Sequence, residues 1–256
     1  MPAAPLLTPE AWHAWFLTQA GWTQQTRRWL YQQAGLEQAS VVLEVGCGSG
    51  VISNELVDAG AARVVGLDVN AELLDLARQH ARRVVPVRGD ALALPFADAT
   101  FDVVVCHYLL LWLTDAVRGV EEMARVARPT GCVLACAEPD YGGRVDHPAE
   151  MATLGRLQAE ALRRQGADPE IGRRLGALFT AAGLSATVGT MAGQWTVPAT
   201  PDAGFEAEWA VRAHDLAGML SPEELQRLRE LDRQALLSGQ RTLFVPTFYA
   251  MGRPTG

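Results

Sequence analysis

The chain has 256 residues, of which 49% are hydrophobic and 20% charged, a composition too apolar for a disordered protein. Its 22 basic residues, all arginine, stand against 29 acidic ones, and the formal net charge of -7 disfavours a nucleic acid partner because phosphate backbones bind clustered positive charge. No apolar run approaches the roughly 20 residues that span a bilayer, and the N-terminus lacks a secretory signal, so we expect a cytoplasmic protein without a membrane partner.

The first 38 residues carry aromatic side chains at helical spacing, which predicts two amphipathic helices. From residue 40 on, short β-branched runs alternate with helical patterns, and this alternation predicts an α/β fold with a doubly wound parallel sheet. The predicted strands of this region span 41–45, 63–68, 84–88, 101–106 and 131–137, and the predicted helices span 52–59, 71–82 and 114–127.

The remainder of the chain is predicted to be mainly helical. It contains no internal repeat and no low-complexity tract, so we expect one domain with helical additions rather than two domains. Helices are predicted at 149–165, 170–182, 203–219 and 222–238, a short strand at 184–190, and a last strand at 241–251.

The cysteines are four in number and lack the paired C-x-x-C spacing of zinc sites. No histidine clusters with them in the sequence. We therefore expect reduced, mostly buried thiols at Cys47, Cys106, Cys132 and Cys136, and no metal site.

A glycine-rich turn, Gly46-Cys47-Gly48-Ser49-Gly50, lies between the first predicted strand and helix. A dinucleotide fingerprint would need its third glycine at Val51, so the spacing argues against a nicotinamide oxidoreductase. Glu44, two residues before the turn, favours a ligand with an ammonium or sulfonium group. The following helix N-terminus can hold a carboxylate through its free N–H groups. An amino acid joined to a nucleoside satisfies both demands.

Two further acids follow the next two strands. Asp68 ends the second strand, 22 residues after Gly46, where a carboxylate can accept hydrogen bonds from both ribose hydroxyls. Asp90 and Ala91 follow the third strand, where Asp90 could accept a hydrogen bond from an adenine amino group. Leu73 could pack on the purine face.

Four segments in order, 44–50, 66–68, 89–96 and 101–105, together resemble the class I S-adenosylmethionine-dependent methyltransferases of the small-molecule type. The resemblance covers roughly residues 40–138. It implies a Rossmann-like, mostly parallel sheet of seven strands with the last one antiparallel, and S-adenosyl-L-methionine as cofactor. The expected cofactor-binding residues are Trp22, Glu44, Gly46, Cys47, Gly48, Ser49, Gly50, Asp68, Val69, Leu73, Asp90, Ala91 and His107.

The catalytic residues stay unassigned, because methyl transfer needs a general base only when the acceptor is protonated. Candidates are His107 after strand four, and Tyr141 and His147 in the polar loop 138–148 after strand five. Many relatives carry paired histidines soon after strand four, whereas this chain has 110–112 Leu-Leu-Trp. The usual Pro-Gly-Gly before strand five is replaced by 129–131 Pro-Thr-Gly, which still suits a turn.

Two aromatic segments have open interpretations. Gln19, Trp22, Thr23 and Arg27 share helical spacing and belong either to a lid over the cofactor or to an aromatic face packed on the core. The other segment contains Trp195, Phe205 and Trp209, which either line an apolar acceptor pocket or fill the core.

The sequence thus predicts an enzyme that moves a methyl group to a small molecule, as a monomer or homodimer. The alternatives are an S-adenosylmethionine-binding protein without turnover and, less favoured by the charge, an RNA methyltransferase. The expected division of the single domain 1–256 is a helical lid at 1–38, a cofactor-binding core at 39–141, and the remaining strands with substrate-side helical insertions at 142–256.

Overall fold

The computed structural model describes residues 7–81, 83–191, 197 and 199–255. Its strands are β1 (Val42–Val45), β2 (Val64–Asp68), β3 (Val84–Arg88), β4 (Phe101–Cys106), β5 (Ala127–Pro139), β6 (Val145–His147), β7 (Leu184–Thr190), β8 (Thr242–Phe244) and β9 (Thr247–Pro254). Its helices are α1 (Pro9–Ala34), α2 (Val51–Asp58), α3 (Ala71–His80), α4 (Ala116–Val126), α5 (Met151–Arg164), α6 (Leu175–Ala181), α7 (Ala203–Asp215) and α8 (Pro222–Leu237).

Seven of the strands form one sheet in the order β3-β2-β1-β4-β5-β9-β7. β9 runs antiparallel to both of its neighbours, and the pairs among β1 to β5 are all parallel. The doubly wound, mostly parallel sheet of seven strands, with helical insertions before the last strand, is therefore confirmed. Chain reversal between β2, β1 and β4 places the sheet's switch point beside the glycine-rich turn, where open sheets bind ligands.

The central strands are apolar because both of their faces are covered. Successive residues of a strand point to opposite faces, so Val42 joins one apolar cluster and Leu43 the other. Helices α1 and α2 cover the face of Val42, while α4 and α6 cover the face of Leu43. The four cysteines are unpaired and buried, as the sequence predicts.

The N-terminal segment is one helix of 26 residues rather than the two that were predicted. Thr8 accepts a hydrogen bond from Ala11 N at its start, and Gly35 ends it in the left-handed conformation. Between these caps the only interruption is Gly21, whose cost of about 1 kcal/mol relative to alanine does not break a helix.

The predicted last strand at 241–251 is wrong as a single element. Its first part, β8, pairs antiparallel with β6 in a separate two-stranded ribbon, and only β9 enters the main sheet. Pro246 lies between them and has no N–H to donate to a strand ladder, which accounts for the break.

The insertion formed by α7 and α8 packs against α5 around a third apolar cluster. At the cluster's edge the Trp209 Nε1–H donates to Asp232 Oδ2 at 2.9 Å. Within the described ranges, no helix is long and apolar enough to cross a bilayer.

Gly172 offers a stability test, because a Cβ atom there would lie 2.6 Å from Glu138 O and 3.0 Å from Pro139 O. These are backbone atoms that cannot rotate away, so we expect Gly172→Ala to lower the free energy of unfolding by about 1–3 kcal/mol in urea titrations. Gly21→Ala is the control, since a Cβ atom there meets nothing within 4 Å. The control should unfold at equal or higher urea, and equal behaviour of the two variants would contradict the packing at Gly172.

Candidate active site

A cavity of about 970 Å³ opens at the carboxyl ends of the parallel strands. One end is bounded by the glycine-rich turn and by Asp68, and the other end by α5, α7 and the β6–β8 ribbon. Side chains of α1 line its roof. Its size lies near the upper limit of roughly 300–1,000 Å³ for small-molecule sites, so it has room for two ligands side by side.

The glycine-rich turn adopts a conformation that requires glycine. Gly46, Gly48 and Gly50 have φ angles of 74°, 50° and 81°, in the left-handed region that side chains disfavour. The N–H groups of Gly46 and Cys47 both donate to Leu67 O, at 2.7 and 2.9 Å, and bind the turn to the end of β2. The backbone of the turn therefore lines the cavity directly.

Two carboxyl groups flank this turn and face the cavity. Glu44 is 1% exposed and accepts a hydrogen bond from the Ser53 hydroxyl, and its burial raises its pKa to about 8. Asp68 is partly buried; its Oδ2 accepts from Gly48 N and its Oδ1 from Asn70 N, both at 2.8 Å. Both carboxyl groups retain free lone pairs for a ligand.

The structure brings most of the predicted cofactor residues to the cavity wall. Those that line it are Trp22, Glu44, Gly46, Cys47, Gly48, Asp68, Val69, Leu73 and His107. Ser49 and Gly50, the last two residues of the turn, are not in the cavity lining: Ser49 Oγ lies 2.7 Å from His13 Nδ1, and Gly50 packs against α3. Asp90 is exposed and accepts from Leu92 N at 2.9 Å, and neither Asp90 nor Ala91 is in the cavity lining.

The turn after β4 carries His107 into the cavity wall. The next residue, Tyr108, has a φ of 51°, which is rare for an aromatic residue and marks a strained turn. Its N–H donates to Ala137 O at 2.9 Å. His107 Nε2 lies 2.9 Å from Thr23 Oγ1, so α1 and the end of β4 meet at this imidazole. Burial and the nearby Arg27 cation hold the pKa of His107 well below its usual range.

Glu138 has a structural role that the sequence reasoning missed. It is completely buried, and its carboxylate accepts from the N–H groups of Leu109, Leu110 and Leu111 at 2.9–3.2 Å. It therefore holds the chain that leaves β4, rather than facing a substrate as an acid of the 138–148 loop. Burial raises its pKa to about 7, and the three hydrogen bonds oppose that shift.

The two halves of α1 make different contacts: the N-terminal half lines the cavity and the C-terminal half packs in the core. In the N-terminal half, the Phe16 ring packs on Gly48, and Trp12 and Trp15 line the cavity roof. In the C-terminal half, Leu30 and Tyr31 are buried in the core. Between these two parts of the helix, Gln19, Trp22 and Thr23 also line the cavity.

The far end of the cavity is lined by arginines that are already ion-paired. Arg144 Nε lies 2.8 Å from Asp146 Oδ2, and both side chains are about 5% exposed or less. Arg212 and Arg241 both contact Asp232, through Arg212 Nη1 at 3.0 Å and Arg241 Nε at 2.6 Å. Glu208 completes this cluster by accepting from both arginines. Only the i, i+4 spacing of Glu208 and Arg212 could have suggested this cluster from sequence.

The two catalytic candidates of the 138–148 loop differ in their position relative to the cavity. Tyr141 lines the cavity beside Arg144, and burial raises the pKa of its hydroxyl. His147 is exposed on β6 and lies outside the cavity lining, so its location does not suit the general base that we considered. In the described ranges, no three His, Cys, Asp or Glu side chains are grouped as metal ligands.

The aromatic residues expected in an acceptor pocket are core residues where they can be placed. Phe205 and Trp209 belong to the third apolar cluster and do not line the cavity. Trp195 lies outside the described residues. Core packing is therefore the better interpretation for the first two.

Comparisons with known proteins support the methyltransferase resemblance of the central part of the chain. Residues 43–135 match the protein family described as "Methyltransferase domain". An uncharacterized methyltransferase of Schizosaccharomyces pombe is 32% identical over an alignment 160 residues long, and the match covers 57% of this chain and 56% of that protein. A demethylmenaquinone methyltransferase of Mycobacterium sp. (strain JLS) is 41% identical over 102 residues, 40% of this chain and 43% of that protein. The chain thus spans about half the length of the curated relatives it matches.

The fold also matches solved structures at low identity. Phosphoethanolamine N-methyltransferase 2 of Haemonchus contortus, solved with phosphomonomethylethanolamine and S-adenosylhomocysteine, superposes with a TM-score of 0.57 at 16% identity. The match covers 91% of this chain and 53% of that one. It supports the fold alone. The predicted resemblance to class I methyltransferases is confirmed for the core.

Glu138→Gln tests the structural role of the buried carboxylate. The amide offers one oxygen to three N–H groups and points an N–H₂ group at one of them, so we expect a loss of about 1–3 kcal/mol in the free energy of unfolding. Urea titration should be done at about pH 8, where the wild-type carboxyl, with its pKa of about 7, is mainly ionised. Glu121→Gln on the exposed side of α4 is the control and should change stability by less than about 0.5 kcal/mol. Equal losses would contradict the assigned role.

Proposed function

We propose that this protein is an enzyme that transfers a methyl group from S-adenosyl-L-methionine to a small molecule, a proposal supported by the match of residues 43–135 to the methyltransferase domain family. The observation that carries the proposal is one continuous cavity with two chemically different ends. The glycine-rich turn with Glu44 and Asp68 forms the cofactor end. The apolar surface and paired arginines of the other end form the acceptor site.

The residues of this chain fit the cofactor. The positive-φ glycines leave the turn's backbone open to the methionine part, with Glu44 near enough to interact with a cationic group. Asp68 is the ribose partner and Leu73 packs on the purine. Asp90, the residue expected from the sequence to contact the adenine amino group, lies outside the cavity lining and is not assigned that role. The cofactor, when bound, supplies an activated methyl carbon on a sulfonium.

The protein's part in the reaction is alignment of the acceptor and exclusion of water. None of the three candidates is placed as a base: His107 Nε2 is already hydrogen-bonded to Thr23, burial raises the pKa of the Tyr141 hydroxyl, and His147 lies outside the cavity lining. The N-terminal half of α1 acts as the lid, with Phe16 and Trp12 covering the site.

The acceptor is an uncharged small molecule with a substantial apolar part. An anionic group would have to compete for arginines that already hold buried carboxylates, and breaking such a pair costs about 3–5 kcal/mol. The name of the mycobacterial relative agrees with an apolar acceptor, but its match covers only 40% of this chain. We place the enzyme in the cytoplasm as a single domain, monomeric or homodimeric.

Calorimetry with S-adenosylmethionine, S-adenosylhomocysteine and NAD tests the cofactor. A metabolite pool incubated with cofactor carrying a labelled methyl group, followed by mass identification of labelled products, then tests turnover. We expect binding of the first two ligands and label in a small apolar product. Binding of NAD alone would overturn the proposal. Tight cofactor binding with no label in any metabolite would instead indicate a binding protein without turnover, and label in added RNA an RNA methyltransferase.

Asp68→Ala should weaken S-adenosylhomocysteine binding by about 1–3 kcal/mol, roughly 5- to 150-fold, because the ribose hydroxyls lose a partly buried hydrogen-bond partner. Asp75→Ala is the matched control, since Asp75 lies on the exposed surface of α3 and, among the residues that the structure describes, pairs with Arg78 alone. Its dissociation constant should stay within about twofold of the wild type. Unchanged affinity of Asp68→Ala would refute the ribose assignment.

Cofactor binding should release protons near neutral pH. Burial raises the pKa of Glu44 to about 8, so this carboxyl is mainly protonated at pH 7. A cationic ligand favours the ionised form, so binding lowers this pKa and affinity should rise between about pH 6 and pH 8.

Calorimetry in buffers of different ionisation enthalpy measures the number of protons released. Glu44→Gln is the control, because it keeps the shape and cannot titrate. The variant should lose most of the release and most of the pH dependence. The same proton release in wild type and variant would show that Glu44 is not the titrating group.

A further inference from the structure

We propose that Arg27 and Thr23 of α1 fix His107 as a neutral imidazole with its proton on Nδ1, so that His107 donates a hydrogen bond to a ligand oxygen in the cavity and is not a base. The tautomer follows from the geometry of the chain alone. The ligand it serves rests on the proposed function.

The arrangement around His107 is fixed by a buried ion pair between α1 and α2. Arg27 is 0% exposed, and its Nε donates to Glu55 Oε1 at 3.0 Å while Nη2 donates to Glu55 Oε2. A bidentate pair of this kind fixes the plane of the guanidinium. Nη1, the remaining nitrogen, is thereby directed toward Thr23 and His107.

The direction of each hydrogen bond follows from whether each group can donate, accept or do both. A guanidinium has only donors, so Arg27 Nη1 donates to Thr23 Oγ1. With that oxygen accepting, the Thr23 hydroxyl proton is free for His107 Nε2, 2.9 Å away. Arg27 Nη1 also lies 3.3 Å from the same Nε2 and again can only donate. Two donors therefore converge on Nε2, which must present its lone pair.

An imidazole with a lone pair on Nε2 carries its proton on Nδ1. An imidazolium would direct a second N–H toward the Arg27 guanidinium in a buried site, so charge repulsion opposes that form. The lowered pKa of His107 agrees with this geometry. The only lone pair on the ring is thus occupied by Thr23, and none is left to take a proton from an acceptor.

Nδ1 is the ring nitrogen that serves the cavity. His107 lines the cavity, and Nδ1 has no hydrogen-bond partner among the residues that the structure describes. Because Arg27 and Thr23 form a directed chain of donors into the ring, they polarise the Nδ1–H bond and strengthen its donation. The group it recognises is an oxygen with a free lone pair, either the carboxylate of the cofactor or a carbonyl or hydroxyl oxygen of the acceptor.

The tautomer can be read directly by NMR of the full chain labelled with ¹⁵N, using two-bond correlations between ring protons and ring nitrogens. His107→Asn assigns the signals by their loss. We expect His107 to be neutral with the proton on Nδ1 from about pH 6 to pH 8, with no ligand present. A proton on Nε2, or titration near the usual histidine pKa, would overturn the proposal. Either outcome leaves the proposed methyl transfer untouched.

Thr23→Val tests the positioning role, because valine keeps the shape and removes the hydroxyl. The variant leaves Arg27 Nη1 as the remaining donor to Nε2, so the preference for the Nδ1–H tautomer should weaken, with a measurable Nε2–H population. The control Thr18→Val, whose hydroxyl bonds to Ala14 O on the same helix, should leave the tautomer unchanged. Urea titration of both variants separates this effect from general loss of stability. An unaltered tautomer in Thr23→Val would remove Thr23 from the proposal.

The two amide replacements of His107 test donation to a ligand. An asparagine amide can place its N–H₂ near the position of Nδ1, whereas a glutamine amide reaches the position of Nε2. We expect His107→Asn to retain ligand affinity within about threefold and His107→Gln to lose about 5- to 10-fold, the usual contribution of one hydrogen bond.

The constant that changes in these variants identifies which ligand carries the oxygen that accepts from His107. A change in the dissociation constant of S-adenosylhomocysteine identifies the cofactor carboxylate, and a change confined to the KM of the labelled acceptor identifies the acceptor. Equal losses of kcat in both variants, with a pH profile that loses its acidic limb, would indicate a base and overturn the proposal.

Discussion

Buried or half-buried carboxylates that accept backbone N–H groups hold the loops of the cavity in place. Chain segments leaving parallel strands lose their ladder partners, and each unpaired N–H costs free energy once it is buried. Asp68 takes two such groups around the glycine-rich turn, and Glu138 takes three after β4. Asp140 takes Gly142 N and adds an ion pair to Arg173. The cavity therefore keeps its shape through contacts made within the protein.

This constraint changes the meaning of an acidic residue near the sheet edge. Glu44 and Glu138 are both buried, yet one keeps lone pairs toward the cavity and the other has its carboxylate engaged by three N–H groups. Both carboxyl groups have a raised pKa, because burial disfavours the ionised form of each. What separates Glu44, the carboxyl that we propose binds a ligand, from the structural carboxyl of Glu138 is therefore the number of backbone donors that each already serves.

The sequence predicted those features that depend on local pattern. Strands β1 to β4 and helices α2, α3 and α5 lie within a few residues of expectation, because apolar periodicity and glycine stops are local signals. The positions of Glu44 and Asp68 at strand ends could also be predicted. The role of Glu138 could not, since its partners are 27–29 residues away in sequence. The β6–β8 ribbon joins still more distant segments, and the Arg212–Asp232 pair joins two helices across 20 residues of sequence.

The N-terminal helix is the element in which stability and chemistry meet. Its C-terminal half is part of the core, and the Arg27–Glu55 pair anchors this half to α2, the helix that follows the glycine-rich turn. The half that carries Trp12 and Phe16 can therefore cover the cavity from a fixed base. A reaction that relies on alignment and exclusion of water needs such a cover more than it needs an acid or a base. In our proposal the same anchored segment also sets the tautomer of His107, so that one ion pair positions both the cover and the hydrogen-bond donor beneath it.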